Sequence, residues 1–229
     1  MKDLPEYIHQ VPNTGFSNVY LLEVDPQSLI LIDSGTASAG SKILSYLGSI
    51  GKDISSIRYV ILTHADADHS GSAAHIKRLS GAKIAIHVDD APRIAGEKKL
   101  KEMTGLTGRL LGLFLGFMKI EKIQPDIKLN NGDTIGPLSI IHTPGHTDGS
   151  ICLYKSNDIL FSGDTIIVDN HGFPRLPSSY LNKDTNQLKK SVEKISSLEF
   201  STLLPGHGKP IFSNASALLR EYVSNGFRR

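Results

Sequence analysis

Short apolar, β-branched runs recur along the chain with turn residues between them, and this pattern predicts β-strands. The predicted strands are residues 19–24, 29–33, 57–63, 83–88, 138–142, 151–154 and 158–162. Helical periodicity separates some of these runs, in residues 38–50, in residues 70–79 and in the apolar stripe that follows a D-x-x-Q start signal at Asp184. Strands mixed with helices indicate an α/β layered domain.

Acidic and imidazole side chains recur at the predicted strand ends, in two loosely similar halves of the chain. In the first half one strand ends at Asp33 and a later one at His64, and in the second half the corresponding residues are Asp164 and His207. Side chains delivered in this way suit a site built between two sheets. The repetition alone does not define the chemistry of that site.

Composition narrows the class of protein. The chain has 229 residues, 39% of them hydrophobic and 21% charged, which favours a single domain over residues 1–229. Its net charge of +2 is too small and too evenly spread to indicate nucleic-acid binding. A single cysteine, Cys152, excludes an internal disulfide and a thiolate-rich metal site, so the nine histidines must supply any metal chemistry. Residues 1–13 lack the apolar core of a signal peptide, and we therefore expect a cytoplasmic protein.

Residues 97–123 stand apart as a predicted helical insert. Their centre, residues 110–118, is apolar on almost every face, so a helix there needs apolar partners all round. A run of this length is far short of a membrane span, and we expect no stable membrane insertion. We interpret the segment as a core helix or a contact in a homodimer. A lid over a hydrophobic substrate pocket and a membrane-surface anchor are the alternatives.

The densest chemistry lies in the sequence T-H-A-D-A-D-H-S-G at residues 63–71. It contains four potential metal ligands directly after a predicted strand: His64, Asp66, Asp68 and His69. The small alanines between them allow a tight loop to aim several ligands at one point. Imidazole nitrogen and carboxylate oxygen suit zinc, iron or manganese. The alternative is a solvated polar turn in which Asp68 caps the following helix.

Three further elements add ligands of the same kind. His146 lies in a Gly/Pro loop, T-P-G-H-T-D-G-S, that leads into a predicted strand, and Asp164 and His207 end two others. In this order and spacing, the seven residues resemble the metal-ligand series of the metallo-β-lactamase-fold hydrolase superfamily. The resemblance covers nearly the whole chain, and the loop around His146 is similar to that of the glyoxalase-II branch. It implies a four-layer αβ/βα metallo-β-lactamase sandwich with a metal site at one edge.

Carried over residue by residue, the resemblance implies a site for two divalent metal ions. The implied ligands are His64, His146 and, if it reaches, Asp66 for one ion, then Asp68, His69 and His207 for the other, with Asp164 bridging. Two cations ~3.5–4 Å apart need a shared anion, and a bridging water whose pKa drops toward ~7 becomes a hydroxide nucleophile at neutral pH. Asp68 is accordingly a candidate catalytic residue. Asp33 matches the family's acidic residue that fixes the ligand loop or orients a ligand.

Asp66 departs from the family pattern, which has histidine at this position in H-x-H-x-D-H. The additional carboxylate makes the site more anionic, so we expect a weaker Lewis acid and a higher pKa for the bound water. Zinc is the expected metal, and Asp66 makes iron or manganese more competitive because both prefer oxygen ligands. An acidic residue here also resembles the flavodiiron branch, which has H-x-E-x-D-H.

The expected function is cleavage of a small ester-like bond, a thioester or a lactone, by the metal-bridging hydroxide. Only 22 residues follow His207, so we do not expect a glutathione-binding extension, and another small-molecule acyl donor is favoured. His171 and Tyr180 are candidate substrate contacts in the region after Asp164. The alternative function is an iron oxidoreductase that resembles the mononuclear persulfide dioxygenases or the flavodiiron core, and Asp66 is the residue that supports it.

Overall fold

The computed structural model describes residues 4–99, 108 and 120–228 of the chain. These residues divide into two compact units, of which the first comprises residues 4–99 and 120–129 and the second residues 108 and 130–228. Each unit has its own β-sheet. The apolar run 110–118 and most of the predicted helical insert 97–123 lie outside the described residues. That the chain forms a single domain stays a prediction.

The first unit contains a six-stranded sheet in the order β1-β2-β3-β4-β5-β6. Its strands are Ile8–Val11 (β1), Val19–Asp25 (β2), Ser28–Ile32 (β3), Ile57–Ile61 (β4), Lys83–His87 (β5) and Ile127–Leu129 (β6). Strands β1 to β3 pair antiparallel, whereas β3 to β6 pair in parallel. Its helices are Gly40–Ser49 (α1), Ala67–Ser70 (α2), Ala73–Ser80 (α3) and Ala91–Ile94 (α4), with a 3-10 turn at Ile54–Ser56.

The core of the first unit lies between the parallel strands and helices α1 and α3. Leu31 and Val60 on the strands and Ile43 and Ile76 on the helices are fully buried in one hydrophobic cluster. Because β3, β4 and β5 are parallel, their carboxyl ends lie at the same edge of the sheet. The sequence segments that contain the candidate ligands of this unit begin at that edge.

The second unit contains a five-stranded sheet in the order β13-β10-β9-β8-β7 and a separate two-stranded sheet of β11 and β12. The strands are Thr134–Ile135 (β7), Leu138–His142 (β8), Ile151–Lys155 (β9), Ile159–Gly163 (β10), Ile167–Val168 (β11), Pro174–Arg175 (β12) and Thr202–Pro205 (β13). Strand β10 is parallel to β13, and the other pairs are antiparallel. The helices are Thr185–Ser196 (α5) and Ala215–Ser224 (α6), with a 3-10 turn at Ser179–Leu181.

The direction of the strands explains how the second unit gathers its candidate ligands. Because β9 lies antiparallel between β8 and β10, strands β8, β10 and β13 run in the same direction. Their carboxyl ends therefore lie at one edge of the sheet. His146, Asp164 and His207 each follow one of these ends within four residues.

Helix α5 confirms the prediction made from its start signal. The side chain of Asp184 accepts hydrogen bonds from the backbone N–H groups of Asn186 and Gln187, and so caps the helix. Leu188, Val192 and Ile195 are fully buried on one stripe. The cap at Asp184 therefore fixes the beginning of this helix, and the apolar stripe fixes the face that packs on the sheet.

The predicted helix over residues 70–79 is instead two helices, α2 and α3, separated at Gly71 and Ser72. A Cβ atom at Gly71 would lie 2.5 Å from the backbone nitrogen of Ala37 and 2.6 Å from the carbonyl carbon of Thr36. The backbone of Thr36 and Ala37 therefore approaches position 71 so closely that only glycine fits there. The helix is interrupted at this point. Asp68 therefore lies inside α2, and the residue at its N-cap position is Asp66.

None of the helices in the described ranges is long and apolar enough to cross a membrane.

Candidate metal centre

The four candidate ligands of the first unit lie in one short loop and turn after β4. His64 and His69 are buried with their ring centroids 4.1 Å apart, whereas Asp66 and Asp68 are partly exposed. His64 Nε2 lies 3.7 Å from Asp66 Oδ2, and His69 Nε2 lies 3.7 Å from Asp68 Oδ2. Each imidazole therefore faces a carboxylate of the same loop through its Nε2 atom.

Asp33 orients this loop from the end of β3. The residue is buried and has a φ angle of 59°, a left-handed conformation that aspartate tolerates better than most residues do. Its Oδ1 accepts a hydrogen bond from the backbone nitrogen of Thr63 at 2.7 Å. Its Oδ2 lies 2.8 Å from both the hydroxyl of Thr63 and the Nδ1 of His69. One carboxylate thus fixes the start of the ligand loop and one of its imidazole rings.

These hydrogen bonds assign the protonated nitrogen of both rings. A carboxylate accepts, so the Nδ1 of His69 carries the proton that it donates to Asp33. Thr63 has a single hydroxyl proton, which it donates to Asp33. In the hydrogen bond of 3.0 Å between Thr63 Oγ1 and His64 Nδ1, the donor is therefore His64. In both rings Nε2 is therefore the nitrogen with a lone pair, as metal ligation requires.

Hydrogen bonds to the backbone hold the rest of the ligand loop. The buried carboxylate of Asp90, after β5, accepts from the backbone nitrogen of Ala65 at 3.0 Å. The carbonyl oxygen of His69 accepts from the backbone nitrogen and the hydroxyl of Ser34, at 2.6 and 2.9 Å. The hydroxyl of Ser17 donates to the carbonyl oxygen of Asp68. The loop is therefore anchored at several points, which limits the movement of the ligands between them.

The candidate ligands of the second unit are arranged around Asp164. This carboxylate is 7% exposed, and its Oδ2 lies 3.6 Å from His146 Nε2 and 3.3 Å from His207 Nε2. One oxygen thus faces two imidazoles that come from different loops. This is the arrangement expected of a carboxylate shared between two ligand groups.

Asn182 orients His146 in the way that Asp33 orients His69. The Nδ2 of Asn182, a buried residue, donates to the carbonyl oxygen of Pro177 at 3.2 Å, which fixes the orientation of the amide. Its Oδ1 then lies 3.0 Å from His146 Nδ1 and accepts the ring proton. His146 Nε2 is again the nitrogen with the lone pair.

The spacing of the donor atoms fits a metal ion. Two donors about 2.1 Å from one ion at a tetrahedral angle lie about 3.4 Å apart. The four separations between Nε2 and carboxylate oxygen atoms, from 3.3 to 3.7 Å, bracket this value and exceed the ~2.7–3.2 Å of a direct N–H···O hydrogen bond. Neutral imidazoles held by Nδ1 hydrogen bonds and paired with carboxylates form a donor set that suits zinc, iron or manganese.

The two candidate substrate residues lie in the second unit. His171 is exposed in the turn between β11 and β12, where its backbone nitrogen donates to Asp169 Oδ1 at 2.8 Å. Tyr180 is half-buried in the 3-10 turn that precedes Asn182. Their contact with a substrate stays a prediction.

Sequence reasoning missed two residues that orient the candidate ligands. Asp90 follows the end of a predicted strand, much as Asp33 ends another, and this position was the available signal. Asn182 lies 36 residues from His146 in a loop without a recognisable pattern, so nothing in the sequence marks it.

Comparison with known proteins decides the family. Residues 12–207 match the family described as the metallo-beta-lactamase superfamily, which is most of the chain. The chain belongs to this superfamily. The resemblance stated from the ligand motifs is thereby confirmed, and the chain is a metal-binding hydrolase of the metallo-β-lactamase fold class.

Individual relatives agree with this assignment. The chain is 26% identical over 219 residues to the "Probable metallo-hydrolase YflN" of Bacillus subtilis, which covers 85% of this chain and 81% of the relative. It is 28% identical over 211 residues to the "Acyl-coenzyme A thioesterase MBLAC2" of Bos taurus. That alignment covers 83% of this chain and 72% of the relative. The structure of the metallo-beta-lactamase family protein TTHA1429 from Thermus thermophilus superposes on this chain with a TM-score of 0.73 at 20% sequence identity. The superposition covers 98% of this chain and 80% of that protein. The α/β metallo-β-lactamase fold predicted from the sequence is therefore confirmed.

Proposed function

We propose that the seven candidate ligands bind two divalent metal ions in one hydrolytic centre. The proposed ligands are His64, His146 and Asp66 for the first ion, Asp68, His69 and His207 for the second, and Asp164 for both. Three facts support the proposal: membership of the superfamily, a complete set of competent donors, and the spacing of those donors. The observation that carries it is the repeated separation of 3.3–3.7 Å between an oriented Nε2 atom and a carboxylate oxygen.

Asp66 is included because it has the same relation to His64 as Asp68 has to His69. Both carboxylates lie 3.7 Å from the Nε2 atom of a buried imidazole in the same loop. Although aspartate is shorter than glutamate, the carboxylate of Asp66 lies at a distance from His64 Nε2 that is compatible with two ligands of one ion. We propose zinc as the metal, and the additional carboxylate makes iron or manganese more competitive.

The chain contributes orientation and charge to the proposed reaction. When bound, such ions supply an activated water and polarise the carbonyl oxygen of a substrate. Asp33 and Asn182 hold the imidazole rings in the tautomer that ligation requires. The backbone anchors of the ligand loop keep these groups in place before a substrate arrives, which lowers the reorganisation that the reaction needs.

We propose a thioester as the substrate, and specifically an acyl-coenzyme A. The relative from Bos taurus is an acyl-coenzyme A thioesterase by name and matches 83% of this chain at 28% identity. Relatives of the same name from Homo sapiens and Gallus gallus match 64% of the chain at 29% and 28% identity. Among the substrates expected from the sequence, these relatives favour the thioester over the lactone.

The proposal is tested by hydrolysis assays on the metal-loaded full chain. Acyl-coenzyme A thioesters of several chain lengths are compared with N-acetylcysteamine thioesters and lactones, with thiol release or acid production as the signal. We expect thioester turnover that is lost in His64→Asn and retained in His75→Asn, a histidine outside the ligand groups. Metal-loaded protein that hydrolyses lactones alone would overturn the thioester, and protein that hydrolyses none of these compounds would overturn the function.

An iron oxidoreductase is the second candidate function, and the ligand spacing of Asp66 favours it. Oxygen consumption by iron-loaded protein with a glutathione persulfide mixture tests this candidate directly. Consumption without thioester turnover would replace the hydrolase proposal. Thioester turnover without oxygen consumption would exclude the oxidoreductase.

A further inference from the structure

The second unit contains a pocket of about 300 Å³ that the proposed hydrolytic mechanism does not use. It lies between the two-stranded sheet of β11 and β12 on one side and helix α6 with the following residues on the other. A volume of this size is at the lower end of the ~300–1,000 Å³ found for small-molecule sites. We name it the α6 pocket.

Aromatic rings form one part of its wall: Phe173, Tyr222 and Phe227. The rings of Tyr222 and Phe227 pack edge to face with centroids 5.6 Å apart. Phe227 has a φ angle of 61°, which is unfavourable for a bulky residue, and its backbone nitrogen donates to the carbonyl oxygen of Tyr222 at 3.0 Å. Phe173 is 42% exposed, so a large apolar ring lies open to solvent beside the pocket. The exposed ring of Phe173 offers a flat face on which a planar group can stack.

Basic side chains form another part of the wall. Arg175 and Arg228 line the pocket, and Lys189 Nζ lies 5.5 Å from the centroid of the Phe227 ring. Within the described part of the chain, neither arginine forms an ion pair. Their guanidinium groups therefore stay available for an anionic ligand, and guanidinium binds phosphate oxygens with paired hydrogen bonds.

Two carboxylates, Asp169 and Glu221, also line the pocket. Asp169 Oδ1 accepts from the backbone nitrogens of His171 and Phe173, at 2.8 and 3.0 Å, and so shapes the turn between β11 and β12. Glu221 is exposed on α6. Within the lining, the two arginines balance the two carboxylates, and Lys189 adds a positive charge beside the Phe227 ring.

The pocket is connected to a candidate metal ligand through β11. The backbone nitrogen of Val168 donates to the carbonyl oxygen of His207 at 3.0 Å. A Cβ atom at Gly208, which has a φ angle of 90°, would lie 1.7 Å from the carbonyl oxygen of Val168. Asp169, the next residue, lines the pocket. Strand β11 therefore contacts the segment that contains His207, and the residue that follows β11 lines the α6 pocket.

We infer that the α6 pocket binds the adenine nucleotide of an acyl-coenzyme A whose thioester is cleaved at the metal centre. The aromatic faces suit the purine ring, and the unpaired arginines suit the phosphate groups. The long flexible arm of coenzyme A joins the nucleotide to the thioester and allows the two ends to bind at separate places. The binding of a nucleotide is inferred from the pocket alone. The cleavage of the attached thioester rests on the proposed thioesterase function.

The test combines direct binding with steady-state kinetics on the full metal-loaded chain. The key variant is Arg175→Ala/Arg228→Ala, and the matched control is Lys83→Ala/Lys128→Ala, which removes the same charge from exposed positions on β5 and β6. We expect calorimetry to detect binding of adenosine 3′,5′-bisphosphate to the wild type and the control, and a loss of at least about tenfold in affinity in the key variant. Glu221→Gln should strengthen the binding, because it removes a negative charge beside the phosphates.

The kinetics compare the same acyl group on coenzyme A and on N-acetylcysteamine, which lacks the nucleotide. We expect the key variant to raise KM for the acyl-coenzyme A at least about tenfold, with KM for the short thioester unchanged. Absence of nucleotide binding to the wild type would overturn the inference. Nucleotide binding without the selective rise in KM would also overturn it, because the pocket would then take a free nucleotide. If no thioester is hydrolysed, the proposed function fails, and nucleotide binding that the key variant weakens would still support the pocket.

Discussion

Replacement of Asp33 by asparagine isolates the contribution of one buried carboxylate to the centre. Asparagine has nearly the same shape and also tolerates the left-handed φ of 59°, so the backbone does not need to change. Its carbonyl oxygen can still accept from the backbone nitrogen of Thr63, which lies 2.7 Å from Asp33 Oδ1. The amide NH2 group in place of Oδ2 then faces two donors at 2.8 Å, the Thr63 hydroxyl and the Nδ1–H of His69.

The magnitude follows from these two contacts. A hydrogen bond to a charged group contributes about 1.5–3 kcal/mol, and the Thr63 hydroxyl can rotate to recover one of the two bonds. We therefore expect the free energy of unfolding of the metal-free protein to fall by about 1.5–3 kcal/mol. His69 can bond to the amide only if its proton moves to Nε2, which removes the lone pair that binds metal. Loss of such an orienting group lowers metal affinity about 10–100-fold.

Two assays measure these effects separately. Urea unfolding of the metal-free protein gives the stability, and competition with a chromophoric chelator gives the affinity for each ion. Asp25→Asn is the matched control, because that carboxylate is exposed and accepts from the backbone nitrogen of Gln27 at 2.8 Å. If D33N binds both ions as tightly as the wild type and D25N do, the orienting role assigned to Asp33 is wrong.

Three further predictions concern other buried or ligating residues. Asn182→Leu removes the acceptor for His146 Nδ1 and should weaken one ion about 10–100-fold while the other binds normally; a chelator titration with two unchanged phases would contradict this. Asp66→His removes one negative charge and should raise the ratio of zinc to iron taken up from an equimolar anaerobic mixture; an unchanged ratio in elemental analysis would show that Asp66 is not a ligand. Burial raises the pKa of the Cys152 thiol from 9.0 to about 11, so the folded protein holds this proton more tightly than the unfolded chain does. Its contribution to stability is therefore present below pH 9 and is lost as the pH rises toward 11. Native protein at pH 8 should not react with a thiol reagent, whereas urea-unfolded protein should react fully; rapid labelling of the native protein would contradict the burial.

Much of the fold could be predicted because its signals are local. Apolar β-branched runs identified the central strands of both sheets, and the predicted bounds of β8 agree with the observed ones. Several of the elements that were missed have weak local signals. Strands β7, β11 and β12 have two residues each, and α6 begins after Asn214, whose side chain makes no capping hydrogen bond.

The candidate site divides in the same way between local and distant information. The residues 64–69 could be predicted as ligands because four donors lie in one short segment directly after a strand. The residues that orient those donors could not, because a hydrogen bond such as that from His146 to Asn182 joins loops 36 residues apart. The pairing of Asp33 with His69 could be anticipated only from the family resemblance.

The central claim is that the seven candidate ligands bind two metal ions in each chain, and metal stoichiometry tests it most directly. Elemental analysis of freshly purified, untagged protein should give about two divalent ions per chain for the wild type. His207→Ala should retain about one ion, and Asp164→Asn should weaken both, because Asp164 is the proposed shared ligand. One ion in the wild type, with no second after reconstitution, would contradict the dinuclear centre, and no ion at all would contradict the assignment of the ligands.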